Sequence, residues 1–113
     1  MKPEDFRTER EELTQLTLDT ANLNIKRFFG LDTAAYAEGA LSAKTKEMMG
    51  LVASMVLRCD DCICYHLDQC KKEDVSTPEL QEAMNIALVV GGSIVIPHLR
   101  RAFRYWEQIS TIS

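Results

Sequence analysis

Nine consecutive residues, Arg58-Cys59-Asp60-Asp61-Cys62-Ile63-Cys64-Tyr65-His66, hold three of the four cysteines and one of the two histidines in the chain. They constrain the fold because they fall between two helical patterns. Cys59 and Cys62 are spaced for a bond across one helical turn, so the pair is expected to straddle a tight helix start. Asp60 and Asp61 would then be acidic caps ahead of a helix from Cys62 to Lys72. His66 lies one turn beyond Cys62 on the same helical face, where an imidazole can take up a thiol proton directly or through water. Two thiols with an imidazole beside them read as a dithiol/disulfide site carrying its own acid/base group.

The surrounding sequence is helical almost throughout. Phe6, Leu13, Leu16, Leu18 and Leu23 recur through a charged stretch and predict a helix over Glu4 to Asn24. Lys26 to Ala40, with Phe28, Phe29, Gly30, Leu31 and Tyr36, reads as a short helix or compact loop. Ser42 is an N-cap for a helix of about fourteen residues over Lys44 to Arg58, with Met48, Leu51, Val52, Met55 and Val56 at helical spacing. Gly50, Ala53 and Ser54 are small enough to let a neighbouring helix approach closely. Ser76-Thr77-Pro78-Glu79 starts another helix, with Leu80, Ala83, Met84, Ala87 and Leu88 as its apolar face, and Gly91-Gly92 marks a break or a close contact. A last helix runs from Ser93 to Ile109 with Pro97 in its first turns. Its Phe103, Trp106 and Ile109 are too apolar for a free tail and must pack on the core or on a partner chain. The expectation is an all-α bundle of five to six helices forming one domain over residues 1–113.

Size and charge narrow the function classes. At 113 residues with 46% apolar and 27% charged side chains, the chain can bury a modest core without a disulfide framework. A net charge of −4 and a pI near 5.1 favour neither nucleic acid nor an anionic membrane surface. The charged start Met1-Lys2-Pro3-Glu4-Asp5 lacks the apolar core of a secretory signal, and no run reaches the roughly 18 apolar residues of a membrane span. A cytoplasmic protein is expected. In that reducing compartment a Cys-x-x-Cys is more often catalytic or metal-binding than a static staple.

The field at a helix start favours a Cys62 thiolate by roughly 0.3–1 kcal/mol, while Asp60 and Asp61 oppose it. The residues read as Cys62 the attacking thiolate, Cys59 the resolving thiol and His66 the proton shuttle. Two other readings stay open. The cysteines could be buried small hydrophobes. Alternatively Cys59, Cys62 and His66 could hold zinc, with Cys64 or Glu47 as a fourth ligand. Cys64 and Cys70 read as core or interface residues, and His98 as a packed or hydrogen-bonded histidine. Arg100, Arg101 and Arg104 form a basic edge suited to solvent, to subunit carboxylates or to an anion.

The run from Lys44 to Ser54, then Arg58-Cys59-Asp60-Asp61-Cys62 and His66, resembles the carboxymuconolactone decarboxylase and alkylhydroperoxidase AhpD-like family. Its redox branch carries a glutamate, eleven intervening residues, Cys-x-x-Cys, three residues and a histidine; Glu47, Cys59, Cys62 and His66 match. With the Thr77-Pro78-Glu79-Leu80 helix and Gly91-Gly92, the similarity spans about Leu41 to Ala102. The resemblance implies an AhpD-like helical bundle that assembles as a homo-oligomer, a trimer or hexamer. It implies reduction of a hydroperoxide, or of a partner protein's disulfide, with electrons from an external dithiol and without a metal or organic cofactor. Glu47 and His66 would form the proton relay. Peroxidase members often place a histidine before the second cysteine, where this chain has Asp61. The decarboxylase branch works without the cysteine pair; a lyase acting on a small acid, with Glu47 or His98 as base, is the third reading.

A simple hairpin turning near Asp60 sets His66 level with Ala53, leaving Glu47 about 9 Å further along the axis. The relay therefore demands a helix crossing or bend, a bridging water, or a carboxylate from another subunit.

Overall fold

In the computed structural model, which describes residues 2–112, the chain is all-α: six helices and one 3₁₀ turn, with no strand among the described residues. It divides into two compact units, Met1–Ala37 and Glu38–Ser113.

The first unit holds α1 (Pro3–Thr20) and α2 (Leu23–Tyr36). Pro3 opens α1 where a missing amide is harmless, and Glu4 and Asp5 sit where the helix field favours an anion. The expected single helix to Asn24 stops earlier, because the Asn22 side chain accepts the Ile25 amide at 3.0 Å and starts a second helix. Most of the stretch Lys26 to Ala40 is thereby helical rather than loop. Leu23, Phe28 and Leu31 are exposed along α2.

The second unit contains α3 (Ala43–Leu57), α4 (Asp60–Lys72), α5 (Thr77–Gly91), a 3₁₀ turn (Ser93–Val95) and α6 (Ile96–Ile112). Ser42 caps α3 as expected, accepting the Thr45 amide at 3.1 Å. Leu51 and Met55, one turn apart, are fully buried, each worth about 1.5–3 kcal/mol relative to exposure. Of the small residues on α3, Ser54 is buried with its hydroxyl on the Gly50 carbonyl, whereas Ala53 faces outward. On α4 the buried residues Ile63, Leu67 and Cys70 recur at three- and four-residue steps. On α5, Leu80, Met84 and Ala87 do the same.

The α3–α4 and α4–α5 junctions are tight for the same reason. At the end of α3, Arg58 adopts φ 58°, its amide bonds the Met55 carbonyl and the Cys59 amide bonds that of Ser54. At the end of α4, Asp74 adopts φ 59°, with the Asp74 amide on Lys71 and the Val75 amide on Cys70. Both are paired-bond helix stops, and they leave two residues between α3 and α4 and four between α4 and α5. The third junction uses glycine: Gly92 takes φ +81°, a conformation that disfavours any residue with a Cβ.

The last helix begins later than expected. Pro97 has no amide to complete an α-turn onto Ser93, so Ser93–Val95 closes as a 3₁₀ turn, with the Ile96 amide on the Ser93 carbonyl. α6 then docks on the core of its own unit. Ala102, Tyr105, Trp106 and Ile109 are buried, the Tyr105 hydroxyl donates to Asp68 Oδ2 at 2.9 Å, and Trp106 Nε1 donates to Thr77 Oγ1 at 3.0 Å. The Lys71 ammonium lies 5.2 Å from the Trp106 ring centre. Of the three apolar residues expected to pack, Trp106 and Ile109 are buried and Phe103 is half-buried.

Candidate active site

Cys59 is the N-cap of α4, and its sulfur accepts the Cys62 amide at 3.2 Å. The helix thus starts two residues before its expected start at Cys62. Asp60 and Asp61 are its first two residues, not caps, because the cysteine sulfur already occupies the capping position. Cys62 remains in the first turn, and its own amide points at the Cys59 sulfur. Cys59 and Cys62 are joined as a disulfide with Cα atoms 5.3 Å apart, and both residues are half-buried.

Glu47 comes from the second turn of α3 and His66 from the second turn of α4. His66 Nδ1 and Glu47 Oε1 are 2.9 Å apart, and the residues are only 8% and 7% exposed. The axial offset of a level hairpin is therefore overcome within one chain, without a bridging group. A level hairpin would offset these side chains by about 9 Å along the axis, so the direct contact means that α3 and α4 do not lie level after the left-handed turn at Arg58. With Glu47 ionised, Nδ1–H donates to the carboxylate, and any proton that His66 exchanges with the cysteine pair passes through Nε2. The Tyr65 ring stands edge-on to His66, with centroids 5.2 Å apart.

The other two thiols are set apart electrostatically. Burial pushes the Cys64 thiol up to about 11, and the carboxylates of Asp60, Asp68 and Asp61 reinforce the shift. Burial, with the charge of Glu47 added, pushes Cys70 up to about 12. Both remain protonated at neutral pH. Among the described residues no three His, Cys, Asp or Glu side chains converge to hold a metal ion. The alternative zinc set is not assembled, since the two cysteines bond each other and Glu47 bonds His66.

His98 is the residue whose place the sequence conceals. It projects from the first turn of α6, and its Nδ1 lies 2.8 Å from Asp60 Oδ1, while Arg101 Nη2 lies 3.0 Å from Asp60 Oδ2. His98 and Arg101 are three apart on one helix and 38 or more residues from Asp60, so only the docking of α6 onto α4 brings them together. Partial burial acts to raise the Asp60 carboxyl, but the bonds from His98 and Arg101 outweigh it and hold the group below the usual carboxylate range. Arg100 and Arg104 are exposed, so the basic edge is divided: one arginine on a carboxylate and two toward solvent.

An open apolar groove of about 850 Å³ lies elsewhere in this unit, between Met48, Val52 and Val56 of α3 and Ala83, Ile86 and Val90 of α5. None of Glu47, Cys59, Cys62 and His66 lines it. No helix among the described residues is long and apolar enough to cross a membrane.

Comparisons with known proteins agree with this architecture. The family model for the carboxymuconolactone decarboxylase family matches residues 24–105. Two crystal structures of a Thermotoga maritima member of that family superpose with TM-scores of 0.94 and 0.91, at 57% and 56% identity. They cover 96% of this chain and 96% and 92% of their own. A Legionella pneumophila member is 26% identical, with a TM-score of 0.71 over 96% of this chain and 90% of its own. An uncharacterized protein of Cupriavidus necator is 26% identical over 74% of both chains. With its matched residues running from α2 to α6 around the Cys59–Cys62 pair, this chain belongs to the carboxymuconolactone decarboxylase, or AhpD-like, family.

Proposed function

We infer that the protein is a thiol-dependent hydroperoxide reductase working through Cys59 and Cys62. The observation that carries this reading is the buried Glu47–His66 pair, 2.9 Å apart and one helical turn from Cys62 of the paired cysteines. His66, oriented by Glu47, takes the Cys62 proton. The Cys62 thiolate attacks the terminal peroxide oxygen, forming an S–O bond as the O–O bond breaks. The departing oxygen takes its proton from His66 and leaves as an alcohol or water. Cys59 then attacks the Cys62 sulfenic acid, expelling water and closing the disulfide. An external dithiol returns two electrons and two protons to restore both thiols. No metal or organic cofactor enters this cycle.

The Thermotoga maritima relative is a protein for which a part in an antioxidative response has been suggested, which agrees with peroxide as the oxidant. Exchange with a partner protein's disulfide uses the same two sulfurs, and half-burial leaves them accessible to a partner dithiol. A cytoplasmic setting would supply the reducing power. The working form is a homo-oligomer, a trimer or hexamer. What supports assembly is that Met49, Leu57, Ile86, Val89 and Val90 are exposed on α3 and α5 of the single chain, where a second copy would cover them.

The test is peroxide-driven turnover with candidate dithiol donors, in wild type and Cys62→Ser, with thiols counted before and after oxidation. Reversible loss of two thiols and turnover abolished in the variant are expected. Equal turnover in both proteins removes Cys62 as the nucleophile. Turnover of a small lactone or acid that survives in Cys59→Ser/Cys62→Ser would favour lyase chemistry instead. Light scattering at micromolar concentration should give the mass of three or six chains; a monomer mass overturns the assembly.

A further inference from the structure

Asp60 stands between the two cysteines, in the first turn of α4. An anion there is favoured by the helix field but repels a thiolate formed on the same turn. Its field reaches along the helix, since it contributes to the upward shift of the Cys64 thiol. α6 answers this carboxylate at two points: His98 Nδ1 on Oδ1 at 2.8 Å and Arg101 Nη2 on Oδ2 at 3.0 Å. Arg101 Nη2 also lies 3.2 Å from His98 Nδ1, so the three groups form one cluster. Both bonds to Asp60 join the helix carrying the disulfide to α6, while the Arg101–His98 contact lies within α6. The titratable and charged groups facing Asp60 are His98 and Arg101 from α6; Asp61 and the Cys64 thiol share α4 with it.

We propose that His98 and Arg101 are positioning residues for the Cys59–Cys62 pair, which clamp the Asp60 carboxylate and compensate its charge so that the start of α4 can carry a thiolate. The proposal rests on the redox reading of the pair. Its consequence is thermodynamic. Reducing the disulfide breaks the S–S bond and delivers two electrons and two protons from a donor dithiol, which becomes a disulfide. One of the resulting protein thiols ionises. A compensated Asp60 stabilises that reduced, ionised state; an uncompensated one destabilises it and favours the disulfide.

His98 is half-buried, whereas Asp60 and Arg101 are about half exposed, so solvent tempers the effect. A single charge at this range in a half-exposed setting changes the thiol–disulfide equilibrium constant by about three- to tenfold. Tenfold corresponds to ~30 mV for a two-electron couple.

The experiment equilibrates the full-length protein with dithiothreitol redox buffers, traps and counts the thiols, and follows thiolate absorbance against pH. Arg101→Gln is expected to lower the reduction equilibrium constant about three- to tenfold and to raise the thiol titration. Arg101→Lys, which keeps the charge, should lie close to wild type. His98→Asn should shift in the same direction as Arg101→Gln. Asp60→Asn combined with Arg101→Gln should return the constant to near wild type, because charge and countercharge leave together. A general structural lesion would not be repaired by a second substitution. An Arg101→Gln constant within twofold of wild type, or no recovery on adding Asp60→Asn, overturns the clamp. The two readings separate cleanly: shifted equilibria without peroxide turnover keep the clamp and remove the peroxidase, while turnover with unmoved equilibria does the reverse.

Discussion

Glu47 and His66, nineteen positions apart in the chain, meet at 2.9 Å in a buried site between α3 and α4. The two partners of this buried pair are not equivalent on removal. His66→Leu strands a buried carboxylate, at a cost of about 3 kcal/mol. Glu47→Gln keeps a hydrogen bond to the ring and costs about 1 kcal/mol. Urea unfolding of the reduced proteins should therefore rank wild type above Glu47→Gln, and Glu47→Gln above His66→Leu. Both variants should lose peroxide turnover by ~100-fold or more, the usual worth of a positioned acid/base group. Lost stability with full turnover would make the pair structural only.

The four thiols should separate by reactivity. With Cys64 held up to about 11 and Cys70 up to about 12, neither ionises appreciably at pH 8. Iodoacetamide applied briefly to the reduced protein is expected to label Cys59 and Cys62 and to spare Cys64 and Cys70, as read by peptide mass mapping. Equal labelling of all four would show that burial does not protect the latter two.

The start of α5 predicts an acid-sensitive contribution to stability. The Glu79 carboxylate accepts the Ser76 amide at 2.8 Å and pairs with Lys44 at 2.9 Å. The amide bond first, and the Lys44 bond second, hold its pKa down at about 2 against an ordinary 4.5. The ionised form is the one the fold favours, so the contribution is complete above about 4.5 and is lost as pH falls toward 2. Thermal midpoints of wild type and Glu79→Gln should differ near pH 6, with wild type higher, and converge as pH approaches 2. A constant difference across that window would mean that the charge of Glu79 contributes nothing.

Gly91 is held to glycine by space. A Cβ there would lie 2.5 Å from Val95 Cγ2, and Val95 is fully buried with a branched side chain that has little room to give. Gly91→Ala should cost about 1–2 kcal/mol, the overpacking penalty reduced by alanine's better helix propensity. Adding Val95→Ala removes the obstructing methyl, so the double variant should be less destabilised than the sum of the two single changes. Simple additivity in thermal melts would show that the two residues do not collide.

Local signals in the sequence placed most helix boundaries well. Ser42 and Ser76 cap where a hydroxyl followed by helix formers says they should, and Leu51, Met55, Leu80 and Met84 are buried on the faces their spacing defines. Errors arose where one local group outweighed periodicity. Asn22 divided an apparently continuous first helix, Cys59 took the capping position assigned to two aspartates, and Pro97 imposed a 3₁₀ turn where one helix was expected. An axial count along two level helices contains no crossing angle, so the sequence left three routes open for Glu47 to reach His66, and the structure takes the direct one within a single chain.

Spacing alone determined the all-α architecture, allowed a bond between Cys59 and Cys62 and placed His66 one turn beyond, because each depends on separations within a single helix or turn. The contacts of Glu47 with His66 and of Asp60 with His98 and Arg101 belong to tertiary structure. They join residues on different helices, and their distances follow from how α3 and α6 lie against α4, which is decided by buried side chains and helix stops distributed over the whole unit.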